Sequence, residues 1–139
     1  MLLKNKTFSF LVTLSILVFY LVSSHAYFVP RELATGSNAV AVLSNLGGQI
    51  TFTKLDSGGT GLNGQFTKGI TDSNSDNYSL EIGDGISDTF TNFNIQIKTP
   101  GTLLFTPAFP VLFDNFIGLQ VIIKHNGQTI DQATINLQK

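Results

Sequence analysis

Beyond residue 26 the chain holds one histidine, His125, and it has no cysteine or tryptophan anywhere. Nucleophilic and transition-metal chemistry draws on His or Cys at several converging positions. A single imidazole leaves few routes to either. His125 directly precedes Asn126-Gly127, a context that reads as a solvated turn histidine. Asp72, Asn74 and Asp76 stand on alternate residues, the D-x-N-x-D opening of a calcium loop built from oxygen ligands. The sixth position of that loop is Asn77 instead of glycine, and the twelfth is Gly83 instead of a bidentate glutamate. An Asx-rich turn is therefore the better reading. Weak calcium binding through Asp72, Asn74 and Asp76, together with Asp84 and Asp88, is kept as the alternative. Asn77-Tyr78-Ser79 is an N-glycosylation sequon, which matters only if the chain is exported.

Other chemistries find less support. No serine and acid are readable as partners of His125 in a triad, and the nine acids select no glycosidase pair. Gly47-Gly48 and Gly58-Gly59 precede no helix, so nothing suggests a phosphate-cradling loop. The sequence points to no catalytic residue, no metal ligand set and no cofactor.

The residues before this domain have a different character. Lys4 and Lys6 precede an apolar run from Phe8 to Val22, followed by Ser23-Ser24-His25-Ala26. A basic start, a short apolar stretch and small residues at Ser24 and Ala26 form the layout of a secretory signal peptide. The run falls short of the about 20 apolar residues that span a bilayer. The expected division is a signal peptide over 1–26, a short N-terminal extension over 27–37 and a β-domain over 38–139. The mature protein is expected to be secreted and extracellular, with no membrane attachment after cleavage.

Loss of Lys4 and Lys6 takes the formal charge from −1 to −3. The remaining lysines are spread singly, so no basic patch is available to neutralise phosphates and nucleic acid is not an expected partner. Without cysteine, the stability of a small secreted domain must come from packing and backbone pairing.

From Asn38 onward the pattern has period two, broken by Gly, Asn, Asp and Ser every eight to twelve residues. That rhythm predicts an all-β sandwich or barrel of about eight strands. Ala39–Leu43 and Gln49–Leu55 form the first two strands, with Ile50 and Phe52 inward. Leu62 to Ile70 reads as a third, with Leu62, Gly64 and Phe66 on one face. Tyr78-Ser79-Leu80-Glu81-Ile82 alternates again, as does Phe93-Asn94-Ile95-Gln96-Ile97. Pro107 and Pro110 forbid a central strand between them, and Phe105, Phe109, Phe113 and Phe116 around this crossing read as a core cap. Leu119–Lys124 and Thr129–Leu137 flank Asn126-Gly127, the strongest short hairpin signal.

Four segments, in order, resemble the copper/zinc superoxide dismutase family, a Greek-key β-barrel of immunoglobulin-like topology. Ala39-Val40-Ala41-Val42-Leu43 with Gly48-Gln49-Ile50-Thr51-Phe52 is similar to the family's first hairpin, A-V-x-V-L then G-x-I-x-F. Leu62-Asn63-Gly64-Gln65-Phe66-Thr67-Lys68-Gly69-Ile70 looks like its V-x-G-x-I-x-G-L strand. Tyr78 to Asp84 occupies the place of H-x-H-E-x-G-D, and Ile117 to Lys124 that of I-G-R-x-L-V-V-H. The resemblance covers about Ala39 to Ile135. It implies that the copper-binding positions fall on Tyr78, Leu80 and Lys124, none of which is an imidazole. The zinc-bearing loop, the family's cysteines and its active-site arginine have no counterpart either.

The resemblance therefore implies a scaffold without its enzyme: a non-catalytic, secreted binding or structural protein with an unidentified extracellular partner and a homodimer left open. Two alternatives stand beside it. One is a superoxide dismutase using metal through unrecognised ligands. The other is a calcium- or carbohydrate-binding secreted module.

Overall fold

A computed structural model describes residues 33–138 of the chain; the expected signal peptide and most of the extension after it lie outside the described residues. Every long element is a strand. The strands are β1 (Asn38–Leu43), β2 (Gly48–Lys54), β3 (Thr60–Gln65), β4 (Tyr78–Ile82), β5 (Ile86–Thr89), β6 (Ile97–Lys98), β7 (Gly101–Thr102), β8 (Ala108–Phe109), β9 (Gln120–His125), β10 (Gln128–Thr134) and β11 (Asn136–Leu137). Two 3₁₀ turns, Ser75–Asn77 and Phe113–Phe116, interrupt them. Seven of the strands have four residues or more, close to the eight expected, and the rest are two-residue pieces.

All pairings are antiparallel and no sheet closes into a barrel. Sheet A has the order β11-β1-β2-β3-β8, sheet B the order β10-β9-β4-β5, and β6 and β7 form a separate ribbon. At Ile135 the chain leaves β10 in sheet B and enters β11 at the edge of sheet A. Both larger sheets feed one core, an arrangement consistent with a β-sandwich. Ala39, Ala41, Leu43, Ile50 and Phe52 come from sheet A, and Tyr78, Leu80, Ile82, Val121 and Ile123 from sheet B. The period-two pattern produces this directly, because alternate side chains leave opposite faces of a strand. Each large apolar side chain taken from water contributes about 1.5–3 kcal/mol, which is how a chain without disulfides holds together. Phe105, Phe113 and Phe116 are buried and Phe109 packs against them, so the four phenylalanines of the proline crossing do cap the core.

Aromatic rings run through this core in a continuous series. Phe105 lies 5.5 Å from Phe66, Phe66 lies 6.4 Å from Phe90, and Phe90 lies 5.4 Å from Tyr78 between ring centroids. The series ends on His125, 4.4 Å from Tyr78 and nearly parallel to it.

Two expected strands are shorter than their patterns. Phe93–Ile97 is mostly a turn: Asn94 adopts a left-handed φ of 55°, and the Ile95 N–H bonds back to the Phe90 carbonyl at 2.8 Å. Only Ile97 pairs as a strand residue, in β6. The third strand ends at Gln65, because the N–H groups of Thr67 and Lys68 both turn to the Leu46 carbonyl at 3.1 Å. The Asn126-Gly127 hairpin forms as expected. Both residues have positive φ, 49° and 79°, which suits a tight turn between twisted strands. Pro107 and Pro110 flank β8, a two-residue strand at the edge of sheet A.

Candidate functional site

The chemistry-bearing residues gather where β4 begins and β9 ends. Antiparallel register sets Tyr78 opposite His125, Ser79 opposite Lys124 and Leu80 opposite Ile123. Tyr78 and Leu80 point into the core and are 1% and 0% exposed. Lys124 belongs to the other face, where its Nζ reaches Glu81 Oε1 at 2.7 Å. The three positions matched to copper ligands thus fall on both faces of sheet B and do not converge. On the inward face β9 sets Val121, Ile123 and His125 beside Ile82, Leu80 and Tyr78, and His125 is the one of the three that carries a polar group.

His125 is not the solvated turn residue its neighbours suggest. It is the last residue of β9, its side chain is 26% exposed, and its ring covers the ring of Tyr78. Its Nε2 lies 3.5 Å from Asp72 Oδ2 and 3.3 Å from Asn126 Nδ2. Without a proton that nitrogen accepts from the Asn126 amide, and with a proton on it the ring donates to Asp72.

The loop over 71–77 is fastened to this pair. The Tyr78 hydroxyl accepts hydrogen bonds from the N–H groups of Thr71 at 3.1 Å and Asp72 at 3.0 Å. Asp72 Oδ1 accepts the Asn74 N–H at 2.9 Å, and Asn74 Oδ1 accepts the Asp76 N–H at 3.1 Å. Asp76 Oδ1 accepts the Thr91 hydroxyl at 2.5 Å. These are Asx turns in series, the second of them capping the 3₁₀ turn Ser75–Asn77. Asp72, Asn74 and Asp76 each turn a side-chain oxygen onto a protein donor. Asp84 sits in the turn after β4, and Asp88 accepts from Asn92 Nδ2 at 2.5 Å. The backbone hydrogen bond from Asn74, then the Asn77 amide and His125, hold the Asp72 carboxyl below the usual carboxylate range.

Asn77, the sequon residue, is half-buried, and its amide nitrogen donates to Asp72 Oδ2. Its carbonyl accepts the Asn126 N–H at 2.7 Å, tying the 3₁₀ turn to the β9–β10 hairpin. Among the described residues, no group of three or more His, Cys, Asp or Glu side chains has an arrangement that could hold a metal ion.

One residue that sequence reasoning passed over proves structural. Asp131 lies at a β-bulge in β10, is 7% exposed, and accepts the Leu46 N–H at 3.0 Å. It pins the β1–β2 turn of sheet A to sheet B. An acid inside an alternating strand, Thr129-Ile130-Asp131-Gln132-Ala133, was the available signal. Near the proline crossing, a cleft of about 190 Å³ lies between Ile82, Ile86, Val111, Asn115, Phe116 and Leu119. No helix among the described residues is long and apolar enough to cross a membrane. A scan against protein-family models gives no match, and a search of curated proteins gives no significant relative.

Proposed function

We propose that the protein is an exported β-sandwich of superoxide dismutase-like, Greek-key build that lacks the copper and zinc ligands and works through its surface as a non-catalytic binding or structural protein. The strand order supports the topology. β1, β2, β3 and β8 lie side by side, the chain crosses to sheet B for β4 and β5, returns for β8, and crosses again for β9 and β10. Export rests on the sequence layout of residues 1–26.

One observation carries the non-catalytic reading. At the positions of the family's copper histidines, Tyr78 and Leu80 are core residues, and Lys124 faces away from them in an ion pair with Glu81. Each of the three side chains is committed to packing or pairing. A redox copper centre needs several imidazoles or thiolates held in one geometry, and His125 supplies one.

Elemental analysis of natively secreted protein tests this. The expected result is no stoichiometric copper, zinc, manganese or iron, and a melting temperature unchanged by chelator. Stoichiometric transition metal, with superoxide consumption that His125→Ala abolishes, would overturn the reading. Intact mass of the secreted product should correspond to a chain beginning at Tyr27, and a product beginning at Met1 would refute export through a cleaved signal.

A further inference from the structure

The outer face of sheet A points to a ligand class. Register aligns its outward side chains in rows across the strands. Val42 stands beside Gln49 and Gln49 beside Gln65. The bridge between Gly64 and Phe105 sets Leu104 beside Gln65 at the end of that row. The next row is Val40, Thr51 and Asn63, continued by Thr106 in the same register. The third holds Asn38, Thr53, Gly61 and Ala108.

None of these rows contains a charged side chain. The outer face of sheet B does, with Glu81 and Lys124 in an ion pair. In the third row the Thr53 hydroxyl is used by Asn38 Oδ1 at 2.7 Å. In the first two rows, the side chains of Gln49, Thr51 and Asn63 make no hydrogen bond to any other described residue. Two open hollows of about 570 and 520 Å³ flank Gln49, which lines both of them. The first row crosses four chain segments, a span of roughly 14 Å at the usual strand spacing.

We propose that this face binds a neutral, polyhydroxylated polymer, an extracellular polysaccharide chain laid along the row Val42–Gln49–Gln65–Leu104. The inference rests on the reading of the protein as an exported binding protein and names its partner class. Carboxamides present donors and an acceptor together, which suits sugar hydroxyls that both give and take a proton. An acidic or basic partner would find no opposite charge here. A protein partner would find little to anchor it, since interface cores favour aromatic side chains, Met and Arg, and this face offers none. Val42 and Leu104, 58% and 62% exposed, sit at the two ends of the row, where they give the apolar C–H faces of sugar rings a surface. The two adjoining hollows suit a ligand longer than one ring, and repetition along a polymer raises the avidity of individually weak contacts.

Co-sedimentation of the secreted protein with cellulose, chitin and insoluble β-1,3-glucan tests the proposal. Retention on at least one of them is expected, unchanged when salt is raised to about 0.5 M, because no ion pairs are involved. The double variant Gln49→Ala, Asn63→Ala should lose retention at least about tenfold while keeping its urea midpoint, and Glu81→Gln on the opposite sheet should bind normally. Absence of retention on all three solids, retention that salt abolishes, or retention that survives in the double variant would overturn it. So would a dimer in size-exclusion chromatography that Thr51→Arg dissociates, which would assign the face to a second copy of the chain. Metal content and superoxide consumption, read on the same sample, report separately on the non-catalytic reading.

Discussion

Tyr78 fills the core with its ring and holds the neighbouring loop with its hydroxyl, and the two tasks can be separated by substitution. Tyr78→Phe keeps the ring between Phe90 and His125 but leaves the N–H groups of Thr71 and Asp72 without their acceptor. The expected cost is about 1–3 kcal/mol, read from urea unfolding, with the native core retained. Asp72 makes a pH-dependent contribution. Its folded carboxyl is held below the ordinary range, first by the Asn74 N–H and then by the Asn77 amide. A depressed carboxylate adds stability above its unfolded pKa of about 3.9, and that stability is lost as pH falls through the folded value. Between neutral pH and about pH 3 the wild type should therefore lose stability more steeply than Asp72→Asn, in paired urea titrations.

Strand and turn positions carry sharper steric limits. Gly48 opens β2 directly against β3, where an added Cβ would stand 2.0 Å from the Gln65 carbonyl oxygen. Backbone cannot yield as a side-chain tip does, so Gly48→Ala should destabilise by about 1–3 kcal/mol or more, visible as a lower melting temperature. Much of the element pattern was legible because alternation reports faces: Tyr78, Leu80 and Ile82 are inward as their spacing requires. The same rule misread Phe93–Ile97. Apolar alternation does not reveal that Asn94 turns left-handed, and the asparagines at 92 and 94 were the better guide. Likewise the pattern carried the third strand on to Ile70, although it ends at Gln65 and Gly69, with a φ of 80°, lies in the turn beyond. At the candidate site, the Asx series Asp72-Asn74-Asp76 was readable because its partners are local. The stacking of His125 on Tyr78 was not, since it depends on which strands become neighbours.

At the scale of the molecule, stability depends on how the two large sheets are joined. The passage of the chain through Ile135 is one link, and Asp131 is another, carrying the β1–β2 turn on a buried carboxylate. Asp131→Ala leaves the Leu46 N–H unsatisfied in a buried setting, and a loss of about 1–3 kcal/mol is expected. Amide exchange should show the added opening first in the turn around Leu46, since local openings precede global unfolding where few contacts hold. Both sheets were foreseeable from the strand pattern. The strand pattern left sandwich and barrel both open, and the unclosed sheets are consistent with the sandwich; the pattern alone does not separate them, because register and edge pairing are set by contacts remote in sequence.

The ring series from Phe105 to His125 also makes the protein its own optical probe. The chain has no tryptophan, and Tyr78 is the one tyrosine among the described residues. Held rigidly between Phe90 and His125, its phenol sits in a chiral, asymmetric field. The share of the near-ultraviolet circular dichroism that Tyr78→Phe removes from the tyrosine band therefore reads the meeting of β4 and β9 without any label.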